Sequence, residues 1–287
     1  MIQIPIESMN LMMLNVGCAR HYADWNFQNV SSPFMRIFYV MEGGALLHLP
    51  KKTVRLTPGH MYVVPAYTTH SYECRGIFVH YYLHVYEGFR GQVNIQETYE
   101  LPTEVTAGQH IGQLFEYMCS QHPDTRLPES DPSSYDTSAQ TSDSVERYRS
   151  MALWEKMELR GAMLMIMSHF IREARPQGWT FDERMRQVLN HIHEHITEDI
   201  TVEQLANVAC VTKTYFIRLF KQEFGISPVQ YINKKKVERA QQLLYTTNNS
   251  VKEVAYRLGI SDHSYFIRLF RKVAGITPQE YRKKLRA

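Results

Sequence analysis

Residues that could bind a metal ion or act as nucleophiles are scattered through this sequence of 287 residues. Its cysteines lie far apart, at Cys18, Cys74, Cys119 and Cys210. None of them forms a CxxC pair, so their spacing predicts neither a zinc site nor a redox centre. Free thiols without such a framework are typical of a reducing compartment. We therefore expect no metal site, no cofactor and no catalytic residue.

Basic residues are concentrated in the last third of the chain. Residues 182–287 contain 18 Lys and Arg against 11 Asp and Glu, a net charge of +7, whereas residues 1–181 contain 14 against 18, a net charge of −4. This asymmetry predicts that only the C-terminal part binds a polyanion such as nucleic acid. The sequence has no run of about 18 apolar residues and no basic start, which predicts neither a membrane span nor a signal peptide.

The basic part contains the same six-residue motif twice. Tyr-Phe-Ile-Arg-Leu-Phe occupies residues 215–220 and 265–270, and Gly-Ile-(Ser/Thr)-Pro-x-x-Tyr follows each copy at the same offset. Each copy predicts a short helix, a turn and a second helix, which is the arrangement of a DNA-binding helix-turn-helix. The predicted N-caps of these helices are Thr201, Thr212, Ser250 and Ser261. A helix over Val229–Leu244 joins the copies, and its lysine run, residues 234–236, faces either solvent or phosphates.

The apolar stripe of each second helix leaves an opposite face for DNA. The candidate contacts are Lys213, Thr214, Ile217, Arg218 and Lys221 in the first copy, and His263, Ser264, Ile267, Arg268 and Arg271 in the second. Arg218 and Arg268 are the strongest candidates, because a bidentate contact between arginine and guanine contributes about 1–3 kcal/mol of discrimination. A surface salt bridge is the alternative for either arginine. His263 and Ser264 either read bases or cap the helix, and both isoleucines suit a thymine methyl group.

The first hundred residues predict short strands in a barrel or sandwich. Met35–Leu49 reads as a hairpin with a Gly-Gly turn, and Ile77–Tyr86 alternates between two faces. Residues 122–143 are polar and predict a mobile loop. Val145–Ala174 predicts one long helix whose wide apolar stripe packs on its own barrel, forms a dimer interface, or does both.

Residues of about 185–285 resemble the DNA-binding domain of the AraC/XylS family of bacterial transcription regulators, matching best over 259–270, 275–278 and 281–282. Leu56–Tyr72 resembles the Pro-Gly…Pro…His segment of the cupin-like barrels that often precede this domain. The resemblance implies an α+β protein of two domains: a cupin-like β-barrel with C-terminal helices over 1–175, a linker over 176–182, and an all-α domain of two helix-turn-helix modules over 183–287. It further implies that the protein binds double-stranded DNA and RNA polymerase. The expected location is the bacterial cytoplasm, in association with the nucleoid.

Polar aromatic side chains in the predicted barrel suit a small polar effector such as a sugar. The candidates for effector binding are Arg36, Tyr62, His70, Tyr72, His80 and Tyr82, and Arg36 suits an anionic effector or caps the barrel mouth. We expect an effector-responsive activator that forms a homodimer and has no catalytic activity. One alternative is a regulator whose barrel only dimerises. The other, a metal-dependent cupin enzyme, is disfavoured because His48 stands alone with no His-x-His pair before it.

Overall fold

The chain folds into two units in the computed structural model, which describes residues 6, 9–87, 95–136, 138–176, 183–247 and 249–284. One unit contains residues 10–88 and 99–175, and the other contains residues 176–287 together with 1–9 and 89–98. The first is rich in β-structure and the second is mainly helical in its described part. The predicted α+β fold class is confirmed.

Antiparallel strands in the first unit form two sheets. The larger sheet contains, in spatial order, β1 (Leu11–Tyr22), β8 (Ile77–Glu87), β3 (Met35–Gly43), β6 (His60–Val64) and β10 (Glu104–Thr106). The smaller sheet contains β2 (Phe27–Val30), β7 (His70–Glu73), β4 (Ala45–Leu49) and β5 (Lys52–Leu56). A short pair joins β9 (Tyr99–Glu100) and β11 (Arg175–Pro176). Side chains from the five-stranded sheet and from the four-stranded sheet meet in one buried cluster, which is the interior of the barrel.

The predicted hairpin over Met35–Leu49 is wrong. Strand β3 pairs with β6 and β8, whereas β4 pairs with β5 and β7, so the chain passes from one sheet to the other at the Gly-Gly turn. Gly43 has a φ of +72°, and a Cβ atom there would lie 1.8 Å from the carbonyl oxygen of Ile77. Only glycine fits this corner. The hairpin lies one strand later, between β4 and β5.

Helices cover the larger sheet and replace the predicted mobile loop. Helix α2 (Gln109–Gln121) and helix α5 (Leu153–Glu173) pack against β1, and α4 (Ser138–Ser150) does the same. The predicted loop over 122–143 instead holds a 3-10 helix at Pro123–Thr125, helix α3 (Pro132–Tyr135) and the start of α4. Its polar residues act as caps, since the Asp131 carboxylate accepts a hydrogen bond from the backbone of Ser133 at the start of α3.

The long helix predicted over Val145–Ala174 is two helices. Helix α4 ends at Ser150, and α5 begins at Leu153 after Ala152, whose backbone is extended. The Glu155 carboxylate accepts a hydrogen bond from the Ala152 backbone N–H at 2.7 Å and so satisfies a donor at the new helix start. Among the described residues, no helix combines the length and hydropathy that crossing a bilayer requires.

Eight helices belong to the described part of the second unit: α1 (Ile95–Thr98), α6 (Glu183–Glu194), α7 (Val202–Val208), α8 (Lys213–Phe224), α9 (Pro228–Thr246), α10 (Val251–Arg257), α11 (His263–Ala274) and α12 (Pro278–Lys284). Helices α6 to α12 contribute to two apolar clusters, one for each copy of the repeated motif. Thr201, Thr212 and Ser250 are N-caps as predicted. The predicted cap Ser261 is wrong, because Asp262 caps α11 by accepting from the backbone of Tyr265 at 2.9 Å.

The lysine run in α9 does not form one exposed face. Lys234 is exposed, but Lys235 and Lys236 are only 7% and 6% exposed. The Lys236 ammonium donates to the carbonyl oxygens of Glu198 and Leu258, both at 2.7 Å. Lys236 therefore ties the loop before α7 to the C-terminal end of α10, and it holds the two modules together.

Candidate DNA-binding surface and barrel interior

Helices α8 and α11 are structurally equivalent, each with 12 residues. Each begins after a capping side chain and ends at a glycine with left-handed backbone, Gly225 or Gly275. The two phenylalanines of each repeated motif are fully buried. The identical residues thus anchor two helices in the same way: the leucine of each motif packs against the same cluster as the phenylalanines, while the central arginine faces outward in both.

The predicted DNA contacts all lie away from these apolar clusters. In the first module Lys213, Thr214, Ile217, Arg218 and Lys221 are exposed. In the second module Ser264, Arg268 and Arg271 are exposed, while His263 and Ile267 are partly exposed. Each helix therefore presents a mixed polar and apolar face with positive charge, which suits phosphates and base edges.

The two central arginines have no carboxylate partner among the described residues, which removes the salt-bridge alternative there. The Arg218 guanidinium instead lies over the ring of Tyr215, 5.4 Å from its centroid. Lys213 differs, since its ammonium is 3.0 Å from the carboxylate of Glu203. Lys213 is consequently a weaker candidate than either arginine for contact with DNA.

Two exposed tyrosines were missed by sequence reasoning. Tyr215 and Tyr265, at the start of the repeated motif, are not among the predicted DNA contacts, yet they are 45% and 41% exposed. Helical spacing predicts this exposure, because each tyrosine precedes a buried phenylalanine by one residue and so points away from the apolar stripe of its helix. We add them to the candidate DNA-binding surface.

The six candidate effector residues are all buried in the first unit, and contacts between their side chains or through shared aromatic neighbours join them in one barrel interior. Tyr62 lies on β6, between β3 and β10 of the larger sheet, and its hydroxyl donates to the carboxylate of Glu104 at 2.8 Å. The Tyr82 hydroxyl accepts from the backbone of Leu127 at 2.7 Å. Arg36, His70 and Tyr72 make a polar group around the arginine. The His80 ring lies 5.1 Å from the Trp25 ring, which itself stacks on Tyr72, and 6.4 Å from the Tyr82 ring, measured between centroids.

Buried histidines in the barrel lie against aromatic rings. The His80 ring lies 4.5 Å from the Phe78 ring and 5.5 Å from the His21 ring, measured between centroids. Burial lowers the pKa of His80 and of His84 well below the ordinary value, and it lowers that of His70 to about 4. The described part of the chain has no group of three or more His, Cys, Asp and Glu side chains placed to hold a metal ion.

Arg36 is the most highly connected charge of this interior, although only 1% of it is exposed. Its guanidinium donates to the hydroxyls of Tyr135 and Ser32 and to the carboxylate of Asp136, each at 2.6 Å. Burial is the largest single influence on Arg36 and opposes its charge, but Asp136, Tyr135 and Tyr72 together outweigh burial and raise the pKa of the guanidinium. Sequence reasoning missed the acid, because the polar composition around Asp136 gave no sign that the side chain would be buried.

Two family models match the two units. One, described as an AraC-like ligand binding domain, matches residues 16–141, and the other, a helix-turn-helix domain, matches residues 205–284. Fold and site together define a helix-turn-helix protein with a β-rich domain of the ligand-binding type. The chain belongs to the AraC family, as the sequence predicted.

Several similar proteins match about a third of the chain. The probable transcriptional regulator LumQ of Photobacterium leiognathi is 36% identical over 84 residues, which are 29% of this chain and 34% of LumQ. The transcriptional activator RhaS of Enterobacter sp. (strain 638) is 32% identical over 81 residues, 28% of this chain and 29% of RhaS. The C-terminal domain of the response regulator yesN from Fusobacterium nucleatum is 33% identical with a TM-score of 0.34, covering 35% of this chain and 99% of that structure. The chain spans about a third of the length of these curated relatives.

Proposed function

We propose that this protein is a sequence-specific DNA-binding transcription regulator, without catalytic activity, that uses α8 and α11 as recognition helices in successive segments of the major groove. The observation that carries the proposal is the equivalence of these helices, each with an exposed central arginine that has no carboxylate partner among the described residues. A recognition helix needs such a free donor to read guanine. The upstream residues differ between the copies, so we expect two unlike half-sites.

Selection of bound sequences from random DNA, followed by titration of the selected site, tests this proposal. Arg268→Ala should weaken specific binding by about 1–3 kcal/mol and relax the preference at one base position. Arg257→Ala is the matched control, because it removes the same charge from the exposed face of α10, outside the recognition helix. Unchanged preference in Arg268→Ala, or an equal loss in Arg257→Ala, would remove Arg268 from the reading residues.

We infer that the barrel makes the regulator responsive to a small effector, with activation through contact with RNA polymerase in the cytoplasm, on the nucleoid. Supporting this is the polar group around Arg36 beside the buried aromatic cluster of the barrel, since polar groups of this kind fix the orientation of a ligand. A sugar and an anion are the two classes to compare. A thermal-shift screen of both classes tests the idea, because a ligand of the native state raises its stability. A barrel that serves only for dimerisation would respond to neither.

The outer face of α5 supports a homodimer. Leu159, Met163 and Ile166 are buried on one side of this helix, whereas Trp154 and Met165 on the other side are 61% and 52% exposed. Large apolar residues exposed on one face of a helix are typical of a protein interface.

Trp154→Glu should convert the proposed dimer to monomer in sedimentation equilibrium. Tyr22→Glu is its control, since Tyr22 is 64% exposed but lies on β1, away from this face of α5. A dimer that persists in Trp154→Glu would place the interface elsewhere.

A further inference from the structure

The buried Arg36 receives its carboxylate from outside the sheets. Ser32 precedes β3 and Arg36 lies in it, but Asp136 follows the four-residue helix α3, 100 residues later in the chain. Tyr135, whose hydroxyl accepts from Arg36, is the last residue of the same helix. Helix α3 and Asp136 together therefore hold the guanidinium from the side opposite the strand that carries it.

The carboxylate is poorly fitted to its partner. Only Oδ2 of Asp136 is used, and it accepts from both Arg36 Nη2 at 2.6 Å and Ser32 Oγ at 2.5 Å. Asp136 Oδ1 and Arg36 Nε are buried and have no hydrogen-bond partner. The strongest arrangement of a carboxylate on arginine is bidentate, with two parallel N–H···O bonds. A carboxylate that is not tethered to the backbone could engage a second guanidinium N–H that the tether of Asp136 leaves unused.

A further buried nitrogen and a nearby pocket belong to the same place. His84 Nε2 lies 3.4 Å from Arg36 Nη1, and its Nδ1 has no partner. A pocket of about 270 Å³ lies between β2 and α3 and is lined on one side by Asp131, Ser133 and Asp136. This pocket gives the Asp136 side chain space to move into, and its volume suits a ligand of a few heavy atoms.

We propose that Arg36 is the anchor of a binding site for a small organic carboxylate, and that Asp136 is a tethered substitute which occupies the site until the effector displaces it. This inference rests on the proposed effector response. It specifies the chemical class of the effector and the contact, between Asp136 and Arg36, that the effector breaks. Displacement breaks the contacts of Asp136 and Tyr135 with Arg36, so the effector favours an arrangement in which α3 is released. Only a ligand that binds the two arrangements with different affinity shifts the equilibrium.

Chemical rescue in the full-length protein tests the anchor. Asp136→Ala leaves Arg36 buried without a carboxylate, so its melting temperature should fall. Sodium formate and sodium acetate should then raise that temperature saturably, beyond the effect of sodium chloride at equal ionic strength. The double variant Arg36→Met/Asp136→Ala is the matched control and should show no such rescue. Absence of rescue in Asp136→Ala, or equal rescue in the double variant, overturns the proposal.

Asp136→Asn tests whether the Asp136 carboxylate occupies the effector site. This variant also provides a test if Asp136→Ala does not fold. The amide keeps the shape of the carboxylate but removes its charge, so a carboxylate found by thermal shift to bind wild type should bind this variant at least about tenfold more tightly. In wild type the same compound should increase deuterium uptake across residues 131–136. A carboxylate that binds both proteins equally, or leaves uptake across 131–136 unchanged, overturns the displacement.

The outcomes separate this inference from the proposed effector response. Stabilisation of wild type by a neutral sugar, with no response to any carboxylate, leaves an effector-responsive regulator but overturns the carboxylate site. If neither class stabilises wild type, the effector response itself fails, and the site with it. Stabilisation by a carboxylate in wild type, together with rescue of Asp136→Ala, supports both.

Discussion

Replacing Lys236 by methionine tests whether a buried ammonium holds the two helix-turn-helix modules together. Methionine has a similar length and is apolar, so the variant removes two hydrogen bonds while filling much of the same space. The Leu258 carbonyl lies in a buried hydrogen bond, and the Glu198 carbonyl lies in a partly buried one. A buried carbonyl left without a donor costs about 1–3 kcal/mol, and water can replace part of the loss at Glu198.

Two opposing effects set the size of the change. Burial lowers the pKa of Lys236, while Asp199 acts in the opposite direction, so the native state bears a desolvation cost that methionine does not have. This relief offsets part of the lost hydrogen bonding. We expect the free energy of unfolding to fall by about 2–4 kcal/mol in Lys236→Met.

Lys234 offers a matched control two residues away in the same helix. Its side chain is 58% exposed and lies 3.9 Å from the Glu238 carboxylate, a surface pair that contributes about 0–1 kcal/mol. Urea denaturation of both full-length variants gives the free energies, and hydrogen exchange read by mass spectrometry shows whether the loss lies within residues 183–284. Lys236→Met as stable as wild type, or Lys234→Met equally destabilised, would refute the reasoning.

Two further predictions concern acid and a glycine. Burial lowers the pKa values of His80 and His84, so below pH 6.5, their ordinary pKa, the unfolded chain takes up protons that the native state does not. The free energy of unfolding should therefore fall by up to about 3 kcal/mol per pH unit as pH drops, and urea titrations between pH 7 and pH 5 that show no fall would contradict it. Gly259 has a φ of +68°, and a Cβ atom there would lie 2.4 Å from the Thr197 carbonyl oxygen. Gly259→Ala should destabilise the protein more than the control Gly225→Ala. Gly225 has a similar φ of +71° but open space around it, so its replacement should cost only about 1–2 kcal/mol. Equal melting temperatures of the two variants would exclude the close contact at Gly259.

Local spacing predicted which faces of α8 and α11 are buried. The repeated motif fixes which residues of α8 and α11 are buried, because helical periodicity assigns each residue to a face once the phenylalanines are placed inside. Three of the four predicted caps are N-caps in the structure. Ser261 failed because Asp262, one residue later, is an equally good cap, and the sequence pattern does not choose between adjacent capping residues.

Longer-range features were not predictable in the same way. A Gly-Gly pair suits a hairpin turn and also a corner where the chain passes from one sheet to another, so the sequence at Gly43 fits either. Only the pairing of β3 and β4 with other strands shows that it is a corner. Residues 122–143 resembled a mobile loop because their composition is polar. The packing of α3 against Arg36 is a contact across 100 residues, which local composition does not encode.

By itself the sequence determined the duplicated module, the exposed faces of its recognition helices and the family, since each depends on residues close together along the chain. Tertiary structure alone decided which charges are buried. Lys234 and Lys236 are the same residue type two positions apart, yet one is exposed and the other bonds two carbonyls inside the domain. The buried contact between Arg36 and Asp136 likewise exists only because the fold brings these distant residues together. Burial depends on what the rest of the chain packs against a side chain, and that is a property of the fold and not of the local sequence.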